Sequence, residues 1–445
     1  HLSAVVKPYL ITNGGPVLMV QVENEYGSYG NDRTYLKALK AAWEANGIDV
    51  PFYTSDGATT YMLEAGTLPG CAVGLDPCGN QGDYDLARKM NPGVPVFGSE
   101  IYPGWLTHWN EQWQRPDTAD VMQQVRFLLD NKISFNLYVL HGGTNFGFTA
   151  GANSGGNGYQ PDVTSYDYDA PINEQGQATA KYYALQKEIL KYKSKKEKRF
   201  PMPDPIPVMD IPEIEMNTYA SLWKSLPEPI SMAQPKPFEA FDLYYGFAVY
   251  QTTLIGHKSG KLTITDLHDF ATVFLDGKYI GTIDRSKGEN SIQLPESDSK
   301  NPVLQILVEG MGRINFAQQL IDRKGITERV SLNGMTLMNW QVYPLPMGLS
   351  FVQSLQKSSS EERPGVFFKG TFSLEKTADT YFDLSQYTKG VIWINGHNLG
   401  RYWNAGPQHS LCCPASWLKQ GKNEVIIFDL IQTDPKPIKG VKTLE

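Results

Sequence analysis

Cysteine is scarce in this sequence. The 445 residues hold four: Cys71, Cys78, Cys412 and Cys413. No CxxC pair and no His/Cys cluster stands among them, so no zinc site is indicated. Cys412 and Cys413 are adjacent and unsuited to bonding each other, whereas Cys71 and Cys78 could close a short loop in an oxidising compartment. No apolar run reaches about 18 residues, which excludes a transmembrane helix. No secretory leader is read in this sequence, and this says little, because the sequence is expected to start inside an element. Basic charge is not in excess either: 40 Lys and Arg stand against 47 Asp and Glu, for a net charge of −7. Without a basic stripe interleaved with aromatics, nucleic acid is not an expected partner. A glycine-rich phosphate loop is also missing, which lowers a nucleotide-binding reading.

What is present is length, aromatics and a β-α alternation. The length suggests about three domains at ~150 residues each. Aromatics make up 12% of the chain, with 9 Trp and 24 Tyr. Flat rings suit flat sugar faces, although core packing accounts for most aromatics in most proteins. From residue 1 to 195, short apolar runs alternate with helical patterns: PVLMVQVENE (16–25), VPFYTSDG (50–57), the weaker CAVGLD (71–76), VPVFGSEIY (94–102) and ISFNLYVLHGG (133–143). Buried parallel strands read this way, so the expectation is α/β with about five β-α units. Polar residues gather at the strand C-termini: Glu23, Asn24 and Glu25; Ser55 and Asp56; Ser99 and Glu100; His141, Thr144 and Asn145. That is the active face of a (β/α)8 barrel, though an open sheet also binds ligands there. The opening HLSAVVKPYLITNGGPV reads as a helix end running into a strand. The expectation is a TIM-type barrel of which only about strands 4–8 lie in this sequence.

Residues 187–200, KEILKYKSKKEKRF, hold seven Lys and Arg, and FPMPDPIPVMDIPEIE then holds five Pro. This reads as a solvated helix end and a stiff linker. From about residue 240 the pattern is all β, with turn signals between short strands. ATVFLDGKYIG (271–281) resembles GVIWINGHNLG (390–400), with Asp276-Gly277 matching Asn395-Gly396. Both dipeptides suit type I′ hairpin turns. Two related β-sandwiches are inferred. The expected division is 1–195 for the C-terminal part of a barrel, 196–235 for a Pro-rich linker, 236–345 for a first β-sandwich and 346–445 for a second.

Glu25 ends an apolar strand inside QVENEYG, and Glu100 ends VPVFGSE, with IYPGW following. A carboxyl at such a place loses solvation, and its pKa rises toward what a general acid needs. Two carboxyls flanking one bond are the minimal kit for glycoside hydrolysis. For Glu25 alone, a helix-capping role competes evenly with that reading.

QVENEYGSYG, GSEIYPGWLTHW, NLYVLHGGTNFGFTAGAN and TSYDYDAP together resemble family 35 glycoside hydrolases. The likeness continues through YGFAVYQTTL, VFLDGKYIG, VEGMGRINF and WINGHNLGRYWNAGPQ, in order along the chain. The resemblance implies a retaining exo-β-galactosidase. Glu25 would be the acid/base on the fourth barrel strand and Glu100 the nucleophile on the seventh. Asn24 would bond the sugar 2-hydroxyl, Trp105 would stack on galactose, and Tyr168 would reach the sugar and the nucleophile. The implied partner is a galactoside, oligosaccharide or glycan, with no cofactor and no metal. A homo-oligomer is left open. The sandwiches would be jelly-roll or galactose-binding-like in fold. The implied location is extracytoplasmic: secreted, periplasmic or lysosomal.

Several neighbours invite plainer readings. Trp109 and Trp113 follow Trp105 at four-residue spacing and read as one face of a helix packing on the barrel. Tyr102 reads as core or subsite, and His141 as a structural residue at the barrel end. Glu23 is read as a hydrogen-bonding partner, and Asp167 and Asp169 as loop-holding residues. About three β-α units, with the family's contacts to the galactose 3-, 4- and 6-hydroxyls, are expected before His1. The 445 residues alone are therefore expected to turn over little or nothing. Two alternatives stand: a non-catalytic remnant acting as a structural or carbohydrate-binding module, and an exo-β-glucosaminidase on the same scaffold.

Overall fold

The computed structural model describes residues 1–77, 79–194, 201–316 and 319–444. The chain divides into two compact units. The first comprises His1–Trp105, Gln114–Gly142 and Asp167–Asp204; the second comprises Leu106–Trp113, Gly143–Tyr166 and Pro205–Glu445.

In the first unit five strands form one parallel sheet: β1 (Val20–Asn24), β2 (Phe52–Asp56), β3 (Ala72–Leu75), β4 (Val96–Ile101) and β5 (Phe135–Leu137). Their order in the sheet is their order in the chain. A doubly wound sheet reverses order at a switch point, and these five strands contain no reversal. Helices α1 (Leu2–Val6), α2 (Arg33–Ala45), α3 (Thr60–Gly66), α4 (Gln81–Met90), α5 (Thr118–Asp130) and α6 (Ala180–Ile189) accompany them. Side chains set their starts: Asp32 accepts from the amides of Thr34 and Tyr35, Thr59 from Met62, Asn80 from Asp83 and Asp117 from Ala119. Each satisfies an N–H that the first turn leaves without a helical partner. Leu63, Val73, Leu75, Tyr84, Ile101 and Leu128 pack α3–α5 on the sheet. No described helix is long and apolar enough to cross a membrane.

The second unit holds two β-sandwiches. In the first, a six-stranded sheet with Gly246–Thr253 and Val303–Gly310 at its centre shares a core with a four-stranded one built on Gly260–Ile264. In the second, a five-stranded sheet around Gly421–Asp429 shares a core with a four-stranded one around Thr380–Asp383. The two repeat hairpins match in detail. Asp276-Gly277 and Asn395-Gly396 all have positive φ (49°, 78°, 50° and 88°), as type I′ turns require. Each hairpin also slips register at the same place, between Val273 and Phe274 and between Ile392 and Trp393.

Two expectations about the division and one about a helix are corrected. Residues 211–232, taken as linker from their prolines, contain strands: Ile211–Ile214, Met216–Ser221 and Ile230–Met232. The first lies at the edge of its sheet, where Pro212 is tolerated because an edge strand can spare a donor. Residues 106–113 and 143–166, placed in the barrel by their position, cluster with the second unit. Trp109, Ala152, Tyr159 and Val163 bury in one core with Phe247, Phe367 and Phe428. Trp109 and Trp113 also lie on no helix, because none falls between β4 and α5. Trp109 instead packs on Trp403, with ring centroids 6.1 Å apart. Part of the charged run, residues 195–200, lies outside the described residues, as does Cys78; Cys71 is a buried free thiol.

Candidate active site

The C-terminal ends of β1–β4 carry one cluster of acids. β1 stops at Asn24, and Glu25 turns into the left-handed region at φ 50°. Its amide donates to Ser55 O at 2.8 Å, which ties it to the end of β2. Asp56 ends β2 and is buried, its Oδ1 accepting the Gly27 amide at 2.7 Å. Asp76 follows β3, with 3% of its surface exposed, and its amide donates to Asp56 O at 3.2 Å. Glu100 lies in β4, half-buried. Ser55 on β2 and Ser99 on β4 meet across the intervening β3 through an Oγ–Oγ contact of 2.6 Å.

Carboxylate oxygens of Glu25, Asp76 and Glu100 lie within 4.8 Å of one another. Three acids so close cannot all ionise cheaply. Burial pushes Glu25 up to about 9, reinforced by a hydrogen bond with Asp76 and by the negative charges of Asp76, Glu100 and Asp56. Burial and the Asp76 charge push Glu100 up to about 7, against a hydrogen bond from Tyr102. Asp56 is pushed up to about 7 by burial, against the Gly27 amide. The result is a pair in which one carboxyl keeps its proton over a pH range where the other has released it.

Aromatic rings wall this cluster. The Tyr102 hydroxyl donates to Glu100 Oε2 at 3.1 Å and also contacts Asp76 Oδ1 closely. Tyr102 packs edge-on against Trp105 at 5.2 Å and Tyr138 at 6.3 Å between centroids. Tyr168 lies 6.2 Å from Trp105 and 5.9 Å from Tyr138. Trp105 is 40% exposed and Tyr168 only 4%, so the tryptophan offers a free face and the tyrosine is a wall. Burial, with the charges of Tyr138, Glu100 and Asp76, raises the Tyr168 hydroxyl well above the usual phenol range.

The wall is held from behind by a buried lysine. Lys181 Nζ, on α6, donates to Pro103 O at 2.5 Å, Asp169 O at 3.1 Å and Asp169 Oδ2 at 2.5 Å. Asp167 accepts the Glu174 amide at 2.9 Å, so both Asp residues hold their loop as expected. Trp105 N donates to Tyr168 O at 3.1 Å. The two segments pass so closely that a Cβ on Gly104 would lie 1.5 Å from Tyr168 O. Backbone cannot yield as a flexible side chain can. Gly104→Ala is therefore expected to cost about 1–3 kcal/mol, lower the melting temperature by several degrees and reduce activity through displaced rings. An unchanged melting curve would show that the segments separate freely.

Of the five residues named from sequence, four come together here: Glu25, Glu100, Trp105 and Tyr168. Asn24 is different. It is exposed, and its Oδ1 accepts from Gln21 Nε2 at 2.7 Å beside the cluster. Glu23 is half-buried and accepts the Tyr35 hydroxyl at 2.6 Å; the left-handed turn at Glu25 breaks the alternation that had put the two in phase. His141 is exposed and forms a backbone bridge with Ile172. Sequence reasoning missed Asp76 and Tyr138. In AVGLD, Asp76 repeats the pattern of an apolar run closed by an acid that marked Glu25 and Glu100.

A second acid cluster, His268, Asp269 and Asp322, lies in the other unit. Lys324 Nζ contacts both Asp residues at 2.7 Å, and Arg285 Nη1 contacts them at 2.6 and 2.8 Å. Two fixed cations already neutralise these carboxylates, so the donor set does not suit a metal ion.

Known proteins resemble this chain throughout. A family model described as glycosyl hydrolases family 35 matches residues 1–192. Models for a first all-beta domain and a galactose-binding domain of beta-galactosidases match residues 235–346 and 365–423. Beta-galactosidase 17 of Arabidopsis thaliana is 38% identical, the alignment covering 96% of this chain and 67% of that protein. A beta-galactosidase of Xanthomonas manihotis is 36% identical over 92% of this chain and 69% of its own length. Beta-galactosidase-1-like protein 2 of Homo sapiens is 36% identical over 98% and 70%.

Proposed function

Since this chain belongs to the glycosyl hydrolases of family 35, we propose that it carries the catalytic pair of a retaining exo-β-galactosidase, with Glu25 as acid/base and Glu100 as nucleophile. The observation that carries the proposal is that one carboxylate oxygen of each lies within 4.8 Å of one from the other. Retaining glycosidases place their carboxyls about 5–5.5 Å apart, whereas inverting ones need about 6.5–9.5 Å to admit a water. The unequal proton affinities support the same assignment: Glu25 is pushed up to about 9 and Glu100 to about 7.

In the first step Glu25 gives its proton to the glycosidic oxygen. A Glu100 oxygen attacks the anomeric carbon as the bond to the leaving oxygen breaks, forming a galactosyl ester. In the second step Glu25, now a carboxylate, takes a proton from water. The hydroxide oxygen bonds the anomeric carbon, and Glu100 departs as carboxylate. The Tyr102 hydroxyl, 3.1 Å from Glu100 Oε2, favours the ionised nucleophile and the departing carboxylate. The exposed face of Trp105 suits an apolar sugar face. Tyr168 would border the sugar, and Asn24 would take its 2-hydroxyl.

On this reading β1–β5 are an arc of a (β/α)8 barrel, its fourth to eighth strands, which the unreversed strand order supports. The sandwiches are assigned no sugar site. Terminal non-reducing β-D-galactosyl residues of oligosaccharides or glycans are the substrate, and an extracytoplasmic compartment belongs to the same reading.

Stereochemistry tests it. Hydrolysis of nitrophenyl β-D-galactoside by the protein that includes the β-α units expected before His1, followed by proton NMR, should release β-galactose before mutarotation brings in the α anomer. First appearance of α-galactose would overturn the two-carboxylate roles.

A further inference from the structure

Asp76 has no role in the two steps above, yet of the three acids whose oxygens meet it is the most buried, at 3% exposure. One of its oxygens, Oδ1, takes the Tyr102 hydroxyl. The other, Oδ2, is buried and finds no ordinary donor. A carboxylate oxygen sealed from water without a donor is costly. The groups acting on Glu25 are Asp76, Glu100 and Asp56, all of them acids, and Tyr102 lies against the same cluster. Glu25 hydrogen-bonds Asp76, and its carboxylic proton would supply the donor that Oδ2 lacks.

We propose that Asp76 is a positioning residue of the catalytic pair: its buried carboxylate accepts the Glu25 proton through Oδ2 and the Tyr102 hydroxyl through Oδ1, and so fixes both the acid and the ring that serves the nucleophile. The inference rests on Glu25 and Glu100 being that pair. It links the two through one group, because the Tyr102 hydroxyl, whose single proton Asp76 and Glu100 share, also lies 3.1 Å from Glu100 Oε2. When Glu25 passes its proton to the leaving oxygen, its new charge faces the Asp76 carboxyl. That repulsion makes Glu25 a stronger base for the water of the second step. The arrangement therefore serves Glu25 in both of its states.

Asp76→Asn removes this acceptor at nearly constant volume and presents an amide that donates to Glu25 instead. A donor favours the carboxylate form. The alkaline limb of kcat/KM should then move down by about one pH unit or more. Galactosides with poor leaving groups should lose about 10–100-fold and nitrophenyl galactoside only a few-fold, because only the poor leaving group depends fully on the acid. Substrate-independent loss with an unmoved alkaline limb would overturn the inference and leave Asp76 a packing residue. Glu25→Gln, run in parallel, separates the two levels. If that variant retains the limb, the acid assignment itself has failed. If it loses the limb while Asp76→Asn leaves it in place, only the present inference has failed.

Should Asp76→Asn not fold, carbon-13 NMR of labelled glutamate in the unsubstituted protein decides. The Glu25 carboxyl, assigned by its loss in Glu25→Gln, should stay protonated past neutrality and be insensitive to millimolar Mg2+ or Ca2+. Titration in the ordinary carboxylate range would overturn the inference. So would a fall of the midpoint on adding either ion, which would make the three acids a cation site instead.

Discussion

Glu100→Gln, made in the protein that includes the β-α units expected before His1, is expected to lower kcat/KM by about 10⁴-fold or more, on every substrate alike. The amide is isosteric and keeps an acceptor for the Tyr102 hydroxyl, so binding should survive. It cannot form the ester, because a neutral amide is a poor nucleophile. The loss should therefore sit in kcat, with KM nearly unchanged. Leaving-group quality should not matter, since the missing bond is to the anomeric carbon. The same variant should be more stable than the parent at neutral and alkaline pH. Glu100 is pushed up to about 7 by burial and by the Asp76 charge, so ionising it works against the fold. Acid clusters of this kind trade stability for function. A melting temperature raised by about 2–4 °C with activity abolished would match both parts. Residual turnover within about tenfold of the parent would remove Glu100 from the nucleophile's role.

The acids were legible because an apolar strand that ends in a carboxyl is a conflict local to a few residues. Asp76 has the same form but was passed over. Its strand is only four residues long, and Pro77 follows at once, so the run read as weak. Tyr138 was hidden by a run that looked continuous. ISFNLYVLHGG reads as one strand, but β5 ends at Leu137, which brings the next side chain to the strand end and the site. Trp109 and Trp113 show the opposite error. Spacing by four suggested a helix, yet Trp109 buries in, and Trp113 packs against, a core most of whose other members lie beyond residue 240. The misread linker has the same cause. Ile211–Ile214 pairs with Ile438–Val441, and Met216–Ser221 with Val366–Leu374, partners too distant for a local pattern to report. The hairpin repeat succeeded because Asp-Gly and Asn-Gly fix φ by themselves.

Glu25→Gln should separate the two chemical steps. With nitrophenyl galactoside the leaving group needs no proton, so the ester still forms. Its hydrolysis needs a base, and Gln is none. A rapid burst of nitrophenol should be followed by turnover slowed about 10²–10⁴-fold, with KM lowered because the ester accumulates. With lactose-like substrates the first step also fails, and no burst should appear. Equal loss on both substrates would contradict an acid/base role. The pH dependence adds a second reading. The competent form has Glu100 ionised and Glu25 protonated, so kcat/KM should rise through about 7 and fall through about 9, limbs that belong to the acid cluster as a whole. Glu25→Gln should lose the alkaline limb. The stability consequence has a definite sign. Glu25 is held above its ordinary 4.5, at about 9, so between those values the folded state binds more protons than the unfolded one. Stability from this group is then full below 4.5 and falls as pH rises, levelling above about 9. Gln cannot ionise and escapes that fall. The variant should melt with the parent near pH 4 and above it at pH about 8, by a margin that widens across the window. A constant margin at every pH would mean that the Glu25 carboxyl ionises as freely in the fold as in water, and the acid that the first step requires would be missing.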